Sequence, residues 1–158
     1  AGEAATEVSA KEREVGLTRA AREFEQLKGN ALLGAGGLAA AQFGLGDYKT
    51  AAASYRKAAT AANTDLMLKA SAISGEAAAL EDAGDLAGAG KSWATLAQID
   101  QSRFGALAAV QQARLLMAAN KPEAAQKIIS GVDTLALSPF GLKPKIEQLK
   151  GLLPTPKK

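Results

Sequence analysis

The sequence predicts an all-α protein, an α-α solenoid of three helix pairs, with a helix ahead of them and a short capping helix behind. Three observations carry that expectation. Of 158 residues, 37 are Ala and 20 are Leu, whereas Val and Ile number four and five. Ala and Leu favour helices and β-branched residues favour strands. No stretch alternates apolar and polar residues with period two over the length of a strand. Helix-length segments are instead separated by short breaks rich in Gly, Asp, Asn, Ser or Pro, the residues that end and cap helices.

Residues 3–28 are charged with mixed signs, and Ala20, Phe24, Leu27 and Ala31 fall at helical spacing. This predicts a solvated helix within 1–30 that carries one apolar stripe. The breaks that follow are Gly44-Leu45-Gly46-Asp47, Asn63-Thr64-Asp65, Ala83-Gly84-Asp85, Asp100-Gln101-Ser102 and Asn120-Lys121-Pro122. They divide 31–132 into six helices. The segment 133–144 (DTLALSPFGLKP) breaks the pattern, and 144–152 predicts a last helix. The whole reads as one domain over 1–153, with 133–153 as a C-terminal cap and 154–158 as a loose Pro-Lys tail.

The helices repeat. With Gly46, Gly84 and Asn120 aligned, the offsets are 38 and 36 residues. Five residues after each anchor stands Ala51, Ala89 or Ala125, and four later Tyr55, Trp93 or Ile129. Seven residues before each anchor stands Ala39, Ala77 or Ala113. A small residue on each helix lets its neighbour approach closely. The large residue then fills the space between one pair and the next, Gly supplies the left-handed C-cap, and Asp caps the following helix.

This order of small, turn, Ala, large and Ala resembles the tetratricopeptide repeat, whose unit is 34 residues. Gly46-Asp47-Tyr48, Ala51, Tyr55 and Ala58 form the unit most similar to it. The aromatic expected before the turn is replaced by Gln42, Leu80 and Leu116, and the proline expected at the end of each unit by Asn63, Gln101 and Leu137. The longer, Ala-rich units resemble bacterial envelope tetratricopeptide proteins of the YfgM-like kind. That resemblance implies a periplasmic repeat domain that engages protein partners, with membrane attachment only through an anchor outside these residues. It further implies that ligands lie on the face made by the first helix of each pair. Carried over by position, that face holds Ala40 and Phe43, then Ser74, Ala78 and Glu81, then Leu107, Val110, Arg114 and Met117. Within the third unit the spacing of three, four and three makes one helical stripe. Two occupants compete for it: a peptide partner, or the closing helix 144–152 with Arg114 reaching solvent.

Composition narrows the chemistry. There is no His and no Cys, so imidazole acid–base catalysis, thiol nucleophiles and the usual zinc ligand sets are excluded. No cofactor, metal or catalytic residue is expected. The net charge of +3 is local, because residues 121–158 hold seven Lys against three acidic residues. That reads as a solvated basic end rather than a nucleic-acid face. The opening AGEAATEVSAKERE lacks the basic and apolar regions of a signal peptide, although Ala1-Gly2 suits a processed start. The uncharged run Gly29–Gly46 is 18 residues but contains six Gly, and it predicts a buried helix rather than a membrane span.

Four near-motifs fail on context. Gly90-Lys91-Ser92 ends a phosphate-loop pattern, but the required first Gly is Asp85 and the preceding segment is helical. Gly34-Ala35-Gly36-Gly37-Leu38-Ala39 matches a dinucleotide fingerprint without flanking strands, and predicts close approach between the two helices of the first repeat, at about 1 kcal/mol of helix propensity per Gly. Ser54-Tyr55-Arg56-Lys57 matches S-x-x-K without its companion motifs and reads as a solvated face. Glu76, Glu81, Asp82 and Asp85 read as capping and solvated carboxylates. Two functions remain: a module that binds a protein or peptide, and a structural protein whose helices stack on copies of itself.

Overall fold

The computed structural model describes residues 2–27, 31–132 and 141–153, with side chains from residue 9 in the first segment and 33 in the second. Ala31, the 133–140 part of the expected cap and the 154–158 tail fall outside the described side chains or residues. Eight helices and no strand occur among the described residues: α1 (Gly2–Glu25), α2 (Ala31–Gly44), α3 (Tyr48–Ala61), α4 (Leu66–Asp82), α5 (Leu86–Ile99), α6 (Gln101–Ala118), α7 (Pro122–Ser130) and α8 (Lys143–Leu152). Within each of its two compact units, neighbouring helices pack in sequence, an arrangement compatible with a helical-repeat fold.

All five breaks end one helix and start another. Gly46 and Gly84 take φ of 81° and 82°, left-handed values that a Cβ disfavours, and Asn63 and Asn120 take 46° and 57°. Asp47, Asp65, Asp85 and Asp100 each accept a backbone N–H from the first turn of the following helix, supplying partners that helix starts lack. Pro122 opens α7 instead, since its missing N–H is one the helix would not use. One residue, Asp100, joins α5 to α6. Its carboxylate accepts from the Ser102 hydroxyl at 2.7 Å and the Arg103 N–H at 3.0 Å. Those donors hold its pKa below the ordinary carboxylate value.

The chain divides into two compact units, Ala1–Gly84 and Asp85–Lys158, and the boundary falls inside the second sequence repeat. In the first unit α1 packs on α2, α2 on α3 and α3 on α4. In the second, α5 packs on α6, and α6, α7 and α8 pack together. Ala39, Ala51, Ala77, Ala89, Ala113 and Ala125 are all 0% exposed, so every small position of the repeat is buried. Trp93, the large position of the second repeat, is 7% exposed.

The glycines of α2 do serve close approach, but to a different partner from the one expected. At Gly34, Gly37 and Gly44 the close neighbours belong to α1 and the residues just after it. The second helix of the first repeat meets Gly36 through Ala58, 4.0 Å from where a Cβ would stand. The Phe24 ring lies directly over Gly37, and a methyl at Gly44 would stand 2.9 Å from Leu17 Cδ1. The apolar stripe of α1 accordingly runs through Leu17, Ala20, Ala21 and Phe24, while Leu27 is exposed. Tyr55 of α3 covers Gly75 of α4, where a Cβ would come within 2.6 Å of the ring. This contact links the second helix of one repeat to the first helix of the next.

Two expectations about charged residues are corrected. Ser54-Tyr55-Arg56-Lys57 is a solvated face only in part: Arg56 and Lys57 are exposed, but Ser54 is buried, Tyr55 is half-buried, and the Arg56 Nε and Nη2 donate to Glu76 Oε1 at 2.9 and 2.6 Å. Glu76 is only 8% exposed on α4, and this charge-assisted pair, not solvation, satisfies it. Among the described residues, no helix is long and apolar enough to cross a membrane.

Candidate functional site

The predicted contact residues separate into two groups. Leu107, Val110 and Met117 of α6 belong to the core of the second unit. Val110 is 2% exposed and clusters with Ala113, Ala125, Ile129, Leu142, Ile146 and Leu149, and Leu107 and Met117 pack against that cluster. The competing occupant weighed from the sequence, the closing helix, therefore covers this stripe, through Ile146 and Leu149 of α8 and Leu142 just before it. The physical reason lies in α8 itself: Leu142, Ile146 and Leu149 repeat at spacings of four and three, an apolar stripe that needs burial. Arg114 lies on the exposed side, where its Nε donates to Gln111 Oε1 at 2.9 Å. The remaining residues lie in the first unit. Phe43 meets the Tyr48 ring edge-on at 5.3 Å and packs beside Ala51, Ala52 and Ala79. Ser74 is half-buried, its hydroxyl donating to the Ala70 carbonyl at 2.9 Å, and Glu81 is half-buried near the end of α4.

An open apolar groove does exist in the first unit, and Ala40 is the one predicted residue that lines it. It encloses about 530 Å³ between α2 and α4, with α3 as its floor. Leu33, Gly36 and Gly37 form the α2 wall, Leu68, Ser71 and Ala72 the α4 wall, and Tyr55 and Ala58 the base. Leu33 and Leu68 are 55% and 44% exposed at the rims, and Leu66 and Met67 continue the apolar surface beyond Leu68. Burial raises the pKa of the Tyr55 hydroxyl, since desolvation disfavours phenolate. The groove can hold apolar side chains and offers hydroxyls from Tyr55 and Ser71 for orientation.

The repeat resemblance assigns none of Leu33, Gly36 and Leu68 to a contact surface. The signal was present, because Leu33 and Gly36 hold the same repeat register as Leu107 and Val110. Because α2 is apolar nearly throughout, that register forms no distinct stripe within it.

A second groove of about 340 Å³ lies in the other unit, between α5 and α6. It contains Gly90 and Lys91, the near-phosphate-loop residues. They lie inside α5, where helical hydrogen bonding uses their N–H groups, and Ser92 is buried with its hydroxyl directed to the Gly88 carbonyl. No phosphate cradle forms there.

No family model matches the chain, and no curated protein and no solved structure matches it.

Proposed function

We propose that the protein is a non-enzymatic, tetratricopeptide-like interaction module whose α2–α4 groove receives an apolar segment of a protein or peptide partner. The observation that carries this reading is the groove itself, open and walled by exposed Leu33 and Leu68. Clustered exposed leucines cost solvation unless a partner covers them, and such patches commonly mark interaction sites. The complete burial of the six repeat alanines supports the tetratricopeptide-like assignment, and the YfgM-like resemblance favours a bacterial periplasmic or envelope location.

Photocrosslinking tests the groove. A crosslinking residue at Leu33 or Leu68 should trap a discrete partner from the native extract, and the same residue at exposed Val15 should not. Equal trapping at all three positions would reject the site.

The run Leu66-Met67-Leu68, exposed at the start of α4, favours a second reading in which copies of the chain associate through this surface. Light scattering over a concentration series separates the two. Growth in mass that Leu68→Glu abolishes supports self-assembly; a constant monomer mass supports a different partner.

A further inference from the structure

We propose that the α5–α6 groove docks an amphipathic helix whose apolar ridge is flanked by carboxylates, with Gly90 as the point of closest approach. The inference rests on the interaction-module reading but concerns a different surface and names the chemistry of its occupant.

The first observation is a glycine that no described neighbour explains. Gly90 lies in the middle of α5, where glycine weakens a helix relative to alanine. At several other glycines inside the packed helices a Cβ would meet a close neighbour. Phe24 covers Gly37, Tyr55 covers Gly75, and the Asp85 and Gln101 side chains lie against Gly88 and Gly105. At Gly90 no such atom comes within 4 Å of the position a Cβ would take. Gly16 and Gly151 share that openness but lie on exposed faces, and Gly36, with only Ala58 at 4.0 Å, lines the other groove, whereas Gly90 is half-buried in this one. Glycine there permits another backbone to come close.

The second observation is the lining. Leu86, Leu115 and Leu116 supply the apolar walls, and Ala87, Ala94 and Ala119 keep the trough between them shallow. A trough between two helices accepts the ridge of a third, read as apolar residues at i, i+3, i+4 and i+7.

The third observation is charge. Lys91 and Lys121 are the only charged residues of the lining, and both are exposed. Neither forms an ion pair or side-chain hydrogen bond with a described residue. The described residues of the second unit include eight basic and four acidic ones, so the unit's net charge has the same sign. Such a rim selects carboxylates at the edges of the incoming helix, fixing its orientation and speeding encounter.

Selection from a random-peptide display library on the full chain tests the proposal. Synthetic copies of the enriched peptides are then measured by fluorescence anisotropy. The expected peptides carry Leu, Ile or Met at helical spacing with Asp or Glu beside them. Gly90→Leu should weaken them about tenfold or more, and Lys91→Glu with Lys121→Glu should do the same and remove their salt dependence. Gly90→Ala separates docking from folding: it should raise the thermal midpoint yet weaken binding. Peptides that bind Gly90→Ala and Gly90→Leu as tightly as the parent, or that are basic or uncharged, would overturn the proposal. If those peptides instead lose affinity on Leu33→Glu, the interaction-module reading survives and this groove does not. No enrichment at all overturns both.

Discussion

Leu33, Gly36, Ala40 and Phe43 in α2 stand thirteen, ten, six and three residues ahead of Gly46; Leu107, Val110, Arg114 and Met117 in α6 stand at the same intervals ahead of Asn120. The two sets occupy one register of one repeat, yet their surroundings differ. In α2 the first three line an open groove, and Leu33 is more exposed than buried. In α6 the apolar members pack into a core closed by Leu142, Ile146 and Leu149. Register sets the direction in which a residue points, but a helix elsewhere in the chain decides what it meets. Side-chain size contributes: Gly36 and Ala40 leave space between Leu33 and Leu68, whereas Leu107 and Val110 provide bulk against which α8 packs.

Removing the cover should produce the largest effect. Ile146→Ala deletes a fully buried side chain of α8 and should cost about 2–5 kcal/mol. It should also increase binding of an apolar dye as the α6 stripe opens. Chemical denaturation with an unchanged midpoint would mean that α8 does not cover α6.

The opposite faces of the two helices should behave alike. Ala39→Leu and Ala113→Leu each overfill a site with no exposed surface and should cost about 1–3 kcal/mol. Loss of stability in only one of the two would break the shared register.

The outward faces should then diverge. Leu107→Ala removes packing from a closed core and should cost roughly 1–3 kcal/mol, whereas Leu33→Ala should stay within about 0.5 kcal/mol. Thermal melts of the pair give the comparison directly, and similar losses would contradict it. Arg114→Glu alters an exposed side chain and should also remain within about 0.5 kcal/mol, with capture of any partner unchanged.

The smallest effect concerns pH and only the first unit. Burial raises the folded-state pKa of Tyr55 above its unfolded value, near 10. The folded chain then holds the phenol proton more tightly. Its contribution to stability is present below the unfolded pKa and fades as pH rises through the folded pKa. Tyr55→Phe should flatten the alkaline limb of the stability profile, and an unaltered limb would remove Tyr55 as its source.

The helices, their ends and the inward face of each repeat were legible in the residues alone. Those depend on nearby residues: Gly46 and Gly84 supply left-handed turns, Asp47 and Asp85 cap the next helix, and alanine recurs where helices approach closely. Each such choice has the same physical consequence wherever the segment lies. The tertiary structure decided the outward faces, because burial there depends on residues far away in the chain. It placed Phe24 over Gly37 and paired Arg56 with Glu76 across twenty residues. It also closed Val110 beneath Ile146 while leaving Leu33 open. Both stripes are apolar by composition. Only the return of α8 to α6 gave one of them a partner, since hydrophobic burial has no direction of its own and follows whichever surface the fold brings near.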